Sequence, residues 1–416
     1  VNEGAFNPMV NPTYLTPGVH LFTTINVPPG AFVYVAGNGG ASGTLDLYAT
    51  GTIVIDGTID LSGGPGTQNT ITSRSTNQGK AGSGRYTGEP YASAPASSAC
   101  EFVAGNAGAL GYAVAGTAGS CAVISSTTCI TRNDPRAFIW AAAPAQFGGG
   151  AGVFTGYRAY GSGGGGPAGG APGALGPAFN GESDCSGASG GGGAVSGAGG
   201  SGGGVYDGQR GTLGQTQCQG QNPGVPPAYV GGGGGGSIGT AAANDLAVTT
   251  TFRTGSGGGG GSADYLDRPV FGGTSGGGGG GGALRLSSPV SITVGGHLLA
   301  NGGTGGDAFI GSQAPNCDPQ PGAAGGGGSG GVVYLSSPVV TVKSGASVSA
   351  AGGAGGFGSL FATGGAGGNG GLGRIRVSAT TATCTLAGSF SPPLKNGCNP
   401  TPGGSAGFAY VAAYPN

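Results

Sequence analysis

The chain has 416 residues, of which 106 are glycine and only 7% are charged, and its formal net charge is −1. Its 14 Lys and Arg are scattered without runs, which argues against a nucleic-acid groove or an anionic-membrane footprint, since both need clustered base. No stretch approaches the roughly 20 apolar residues of a membrane span, and the Val, Ile and Thr content of the nearly uncharged segments is not that of a disordered chain.

Residues 1–16, VNEGAFNPMVNPTYLT, form an apolar arm with no clear period. Such an arm is expected either to cap the first coil of the fold or to dock on another subunit, with Ala5, Phe6, Met9, Val10, Tyr14 and Leu15 making the contact. HLFTTINVPPGAFVYVAG, from His20 to Gly37, reads as two strands around a Pro-Pro-Gly turn.

Thr44 to Gly64, TLDLYATGTIVIDGTIDLSGG, carries three short alternating strands, and Ala283 to Gly303, ALRLSSPVSITVGGHLLANGG, repeats it without a gap. Leu45 falls on Leu284, Leu47 on Leu286, Ile53 on Ile292, Ile55 on Val294 and Ile59 on Leu298. A third copy, Val332 to Gly353, needs one-residue shifts at its two bends, and a fourth starting at Arg374 is weaker. Period-two alternation buries one face of each strand, and a repeated unit that cannot bury that face alone must stack on its neighbours. The fold class expected is all-β: a parallel β-solenoid, or β-helix, with glycine-rich extended, polyproline II-like layers and a long disulfide-containing insertion. Gly231–Gly236, Gly257–Gly261, Gly276–Gly282 and Gly325–Gly328 are read as such layers, because without a Cβ two backbones can lie in contact.

The chain divides into residues 1–64 (arm and first coils), 65–256 (a Gly/Ser/Cys-rich insertion), 257–390 (further coils) and 391–416 (a tail strand). The insertion contains Trp140, Tyr157, Tyr160 and Tyr206, which are read either as local core or as a sugar-stacking surface. The tail GFAYVAAYPN, with Phe408, Tyr410, Val411 and Tyr414, is expected to close the last coil or to pair with a neighbouring subunit by strand addition.

Eight cysteines suit up to four disulfides in an oxidising compartment. Cys384 with Cys398, bracketing a Pro-Pro loop, is the favoured pair and Cys185 with Cys218 a weaker one; Cys100, Cys121, Cys129 and Cys317 are left unassigned. The start at Val1 is consistent with a removed export signal. No CxxC spacing occurs and only His20 and His297 are present, so no metal or other cofactor is expected.

Paired carboxylates that could serve a glycosidase are sparse. Asp56 is expected to cap a turn and Asp60 to face solvent. Glu182 with Asp184, and Asp264, Asp267 and Arg268, read as loops and solvated turns. His297 faces away from the apolar side. GxGxxG matches arise from composition and lack a following helix. An ice-binding surface would need Thr columns in register, and the copies align Thr52 with Ser291 but give no steady third member, so no column is expected.

Through GTIVIDGTIDLSGG, GGGGGGGALRL and GGAGGNGGLGRIRV the sequence resembles the secreted, glycine-rich β-helix proteins of bacterial cell surfaces. These are pectate-lyase-like in architecture only, and no catalytic residue carries over. The resemblance implies an adhesin, coat or extracellular fibre as well as enzymes. The expectation is a non-enzymatic, secreted, cell-surface structural protein that self-associates into a homopolymer, such as a filament or surface layer, through its ends and terminal arms. An adhesin binding surface glycans is the second reading and a polysaccharide-active β-helix enzyme the third.

Overall fold

The structure is a computed structural model that describes residues 2–35, 43–66, 254–255, 257–258, 277–307, 324–357, 367–400 and 408–415, together with short strands at 68–69, 109–110, 114–115, 152–155, 158–161 and 274–275. Gly231–Gly236, Gly259–Gly261 and Gly276 lie outside the described residues, as do Cys100, Cys121, Cys129, Cys185, Cys218 and Cys317.

Where apolar residues alternate, the chain forms strands, and the strands stack in parallel into three six-stranded sheets. The first sheet runs Ala5–Phe6, Thr24–Val27, Ile53–Ile55, Ile292–Val294, Val340–Val342 and Cys384–Leu386. The second runs Thr13–Leu15, Phe32–Val35, Thr58–Asp60, His297–Leu299, Ser347–Ser349 and Ser389–Ser391. The third begins at Gly18–Phe22 and continues through Thr44–Ala49, Ala283–Ser287, Val332–Ser336 and Arg374–Ala379 to Ala409–Ala413. Each coil contributes one strand to each sheet, in the order third, first, second, which is the arrangement of a β-solenoid.

The repeat in the sequence is the register in space. Leu284 pairs with Leu45 and Leu286 with Leu47, Ile292 with Ile53 and Val294 with Ile55, and Leu298 with Ile59. In the third copy, relative to its first strand, the second comes one residue early and the third one residue late, because Ala283 pairs with Val332, Ile292 with Val340 and His297 with Ser347. The inward side chains stack in columns and form one core, from Phe22 and Ile25 through Leu45, Ile53 and Ile59 to Val377 and Val411. A one-residue slip would turn every one of them outward, so burial pins the register.

The Ser-Ser-Pro corner has a structural use in one copy. The Ser288 hydroxyl donates to the Gly51 carbonyl of the preceding coil, 2.6 Å away, and accepts from the backbone N–H groups of Val290 and Ser291. The equivalent Ser337 hydroxyl is buried without a partner.

Each coil leaves the second sheet along a glycine-rich run and returns along another to the third sheet. The outgoing runs lie parallel to one another: Gly63 N–H donates to Asn301 and Gly66 to Thr304, while Gly302 donates to Ala351 and Gly305 to Ala354. The returning runs are antiparallel to them, with Gly328 donating to Gly303 and Gly331 to Ala300, and Gly353 donating to Gly328 and Gly356 to Gly325. The bonds recur at every third residue, which is the repeat of an extended polyproline II chain. Glycine is required by close approach: a Cβ on Gly303 would lie 2.0 Å from the Gly64 carbonyl oxygen, and one on Gly328 would lie 2.0 Å from that of Gly279. Outgoing runs with one open side therefore read x-Gly-Gly, with Thr304, Ala354 and Asp307 exposed, whereas residues 277–282, enclosed on all sides, are uninterrupted glycine. Of the expected layers, the described parts of Gly276–Gly282 and Gly325–Gly328 and residues 257–258 lie in this bundle; Gly231–Gly236 lies outside the described residues.

Candidate functional site

The two ends of the stack carry the residues expected to mediate assembly. Ala5 and Phe6 pair with Thr24 and Ile25 as the outermost strand of the first sheet, and Tyr14 and Leu15 pair with Tyr34 and Val35 as that of the second. The Phe6 ring packs at a tilt against Phe22 and that of Tyr14 against Tyr34. The arm therefore caps the first coil. Met9 and Val10, in the link between these strands, are 90% and 71% exposed. Tyr14, Val19, Leu21 and Phe32 are exposed at the same end, leaving only Val290, Phe357 and Leu372 as exposed large hydrophobics elsewhere among the described residues.

At the opposite end, Tyr410 and Val411 belong to the strand Ala409–Ala413, which pairs with Ile375–Ala379 as the last strand of the third sheet. Val411 is in the core and Tyr410 is buried. Phe408 lies under the Arg374 guanidinium at 5.4 Å, and Tyr414 is half-buried. The disulfide Cys384–Cys398 forms as expected, and Leu394, inside the loop it closes, packs on the core.

The outward faces of the three sheets differ in chemistry. On the third sheet Asp46, Arg285, Tyr334, Arg376 and Tyr410 occupy one cross-strand column. Arg285 holds Asp46 in a two-pronged ion pair, with Nε donating to Oδ1 at 2.6 Å and Nη2 donating to Oδ2, and lies 5.0 Å over the Tyr48 ring. Arg376 sits between the rings of Tyr334 and Tyr410. Burial, reinforced by the neighbouring Asp46 carboxylate and opposed by Arg285, raises the Tyr48 pKa above its ordinary 10.0. Asp46, Tyr334, Arg376 and Tyr410 are buried. Its members come from five different coils and no single residue type runs through all of them, so only the outward position after each leading apolar residue marks them in the sequence.

On the second sheet His297 is exposed, as expected, and its Nδ1 lies 2.7 Å from the Ser347 hydroxyl. Asp60 corrects the expectation of a solvent-facing carboxylate: it is only 2% exposed, and its Oδ1 accepts from the Ser62 N–H. Asp60 stands where the chain turns into the first glycine run, so its carboxylate caps that turn. Asp56, expected to cap a bend, pairs with Lys343 Nζ at 3.0 Å. His20 contacts Glu3 and the Thr16 carbonyl.

On the first sheet the column through Thr52 and Ser291 gains no third Thr, as expected, but the neighbouring column, not weighed in the sequence, carries Thr in three successive coils. Asn26, Val54, Thr293, Thr341 and Thr385 stand in one outward column. The column considered in the sequence, through Thr52 and Ser291, is beside it and continues into Val339. The shift at the corner of the third copy had hidden this pairing.

Among the described residues no cluster of three or more His, Cys, Asp or Glu could hold a metal ion, and no helix is long and apolar enough to cross a membrane. An open hollow of about 330 Å³ lies along the outgoing runs, lined by Thr304, Asp307, Ala354 and Phe357 among glycines. Tyr160 lies in the hairpin of Gly152–Thr155 with Arg158–Gly161; Trp140, Tyr157, Tyr206, Glu182, Asp184, Asp264, Asp267 and Arg268 lie outside the described residues. These features define a three-sheet parallel β-solenoid with a glycine-rich bundle on one corner. No family model, curated protein or solved structure matches the chain.

Proposed function

We propose that the protein is a structural subunit of an extracellular, cell-surface assembly, joined to further copies of itself through the ends of the solenoid. The observation that carries this reading is the grouping of Met9, Val10, Tyr14, Val19, Leu21 and Phe32 at one end, beside strands whose outer edges have no successor among the described residues. An apolar, open-edged end is a surface for strand addition and for burial. The last strand of the third sheet, Ala409–Ala413, is the partner edge in a head-to-tail contact, which generates an open polymer. The Cys384–Cys398 disulfide supports an oxidising compartment and hence secretion.

Sedimentation velocity with negative-stain microscopy tests the reading. Native protein is expected to form regular fibres or sheets, and Met9→Asp with Val10→Asp is expected to leave a monomer with an unchanged melting temperature. A native protein that stays monomeric across concentration and salt, or a double variant that assembles as well as the native chain, overturns it.

A further inference from the structure

The outward face of the first sheet is the one large surface among the described residues that is both regular and uncharged, and its pattern points to an ordered lattice as ligand. Two columns run along it. Thr24, Thr52, Ser291 and Val339 form one, tied in register by backbone bonds from Ile25 to Thr52, Ile53 to Ser291 and Ile292 to Val339. Asn26, Val54, Thr293, Thr341 and Thr385 form the other. In the last coil the first column ends, because Thr383 closes a 3-10 turn and its hydroxyl donates to the Pro338 carbonyl at 2.7 Å, while Thr385 continues the second column.

Between the columns, Ile25, Ile53, Ile292 and Val340 point inward and are buried, which forces their neighbours out. Thr24, Asn26, Thr52 and Thr385 are exposed and Ser291, Thr293, Val54, Val339 and Thr341 half-buried. The positions thus form a grid, about 4.8 Å between coils and roughly 6.7 Å between columns, from strand spacing and twice the rise per residue. β-branched side chains are restricted at χ1, which limits where the Thr hydroxyls and methyls can stand; Ser291 and Asn26 add polar groups to the columns, and Val54 and Val339 add methyls alone.

The other two outward faces lack this character. The outward positions of the third sheet carry the Asp46–Arg285 pair, Arg376 between Tyr334 and Tyr410, and the exposed Val19 and Leu21; the second mixes Phe32, Tyr34, Asp60, His297 and serines. On the first sheet the side chains of Thr24, Thr52, Thr293, Thr341 and Thr385 make no hydrogen bond to another described group, so their hydroxyls are free to bond water.

We propose that this face binds ice. The oxygen repeats along the two axes of the prism face of hexagonal ice fall near the two dimensions of the grid. Hydroxyls at that spacing bond lattice water, and the methyls between them fill the gaps without disordering it. A charged surface would instead orient water around each ion. The ligand is the crystal of water itself, and the proposal stands whether or not the chain polymerises.

The test uses fluorescently labelled full-length protein during slow growth of a single ice hemisphere, together with recrystallisation assays in frozen sucrose. Native protein is expected to enter the ice and to arrest grain coarsening. Thr293→Tyr with Thr341→Tyr, outward-facing substitutions that keep strand propensity, are expected to lose incorporation entirely while far-ultraviolet dichroism and melting temperature stay unchanged. A second variant, Ser347→Tyr on the second sheet, is expected to bind ice as the native chain does. Exclusion of native protein from the ice overturns the proposal, as does equal incorporation of the double variant. Retention on crystalline cellulose, lost in the double variant, with no ice incorporation would reassign the face to a polysaccharide lattice and likewise overturn it.

Discussion

Asp56 and Lys343 form an ion pair at 3.0 Å although they belong to coils two steps apart, so the pair crosses the coil between them. At the crossing point stands Gly295, and a Cβ there would lie 2.1 Å from Asp56 Oδ1 and 3.2 Å from Lys343 Cδ. The adjacent Gly296 is constrained differently: its Cβ would lie 1.8 Å from the Gly57 carbonyl oxygen, which is backbone.

The two glycines therefore separate a movable obstacle from a fixed one. Gly295→Ala is expected to displace the Asp56 carboxylate and cost less than about 1 kcal/mol, since the pair is solvent-exposed and such pairs contribute little. Gly296→Ala must push two coils apart and is expected to cost about 3 kcal/mol, as overpacking of a close contact does. Urea unfolding of the two variants measures the difference, and equal midpoints would show that the coils yield at both positions.

The Cys384–Cys398 bridge closes a short loop with a sequence separation of 14. A loop of this size stabilises by about 3 kcal/mol through the entropy of the unfolded chain. Cys384→Ala with Cys398→Ala is expected to lower the denaturant midpoint accordingly, with reducing agent having the same effect on native protein and none on the variant.

Alkaline titration reads the outward face of the third sheet. The Tyr48 phenol is raised above 10.0, first by burial and then by Asp46. A folded pKa above the unfolded one means that the folded chain keeps its proton longer, so the stability this contributes is present below pH 10 and lost as pH rises through the raised value. Phenolate absorbance, read as the difference between the native chain and Tyr48→Phe, should show Tyr48 titrating late, and Asp46→Asn should bring its midpoint down. An unshifted midpoint in that variant would leave burial alone as the cause.

The coils were legible because their signal is local and repeated. Leu45 and Leu284, or Ile53 and Ile292, align in the sequence for the same reason that they touch in space: each coil must bury the same face at the same level. The Cys384–Cys398 pair was legible from its short separation around two prolines. The x-Gly-Gly triplets at Asn301–Asp307 and Ala351–Phe357 were equally present in the chain, yet against so much glycine the period of three did not stand out.

What the sequence determined by itself was the solenoid, its register in the first two copies and the need for glycine where backbones meet, since alternation and a missing Cβ act within a few residues. Only the tertiary structure decided which side chains share an outward face. Asp46 meets Arg285 across 239 residues of chain, Asp60 is buried where alternation put it outside, and Thr293, Thr341 and Thr385 align although a bend of altered length separates their copies. Stacking sets those neighbours by level along the axis, a coordinate that shifts with each bend and insertion and is not written in residue spacing.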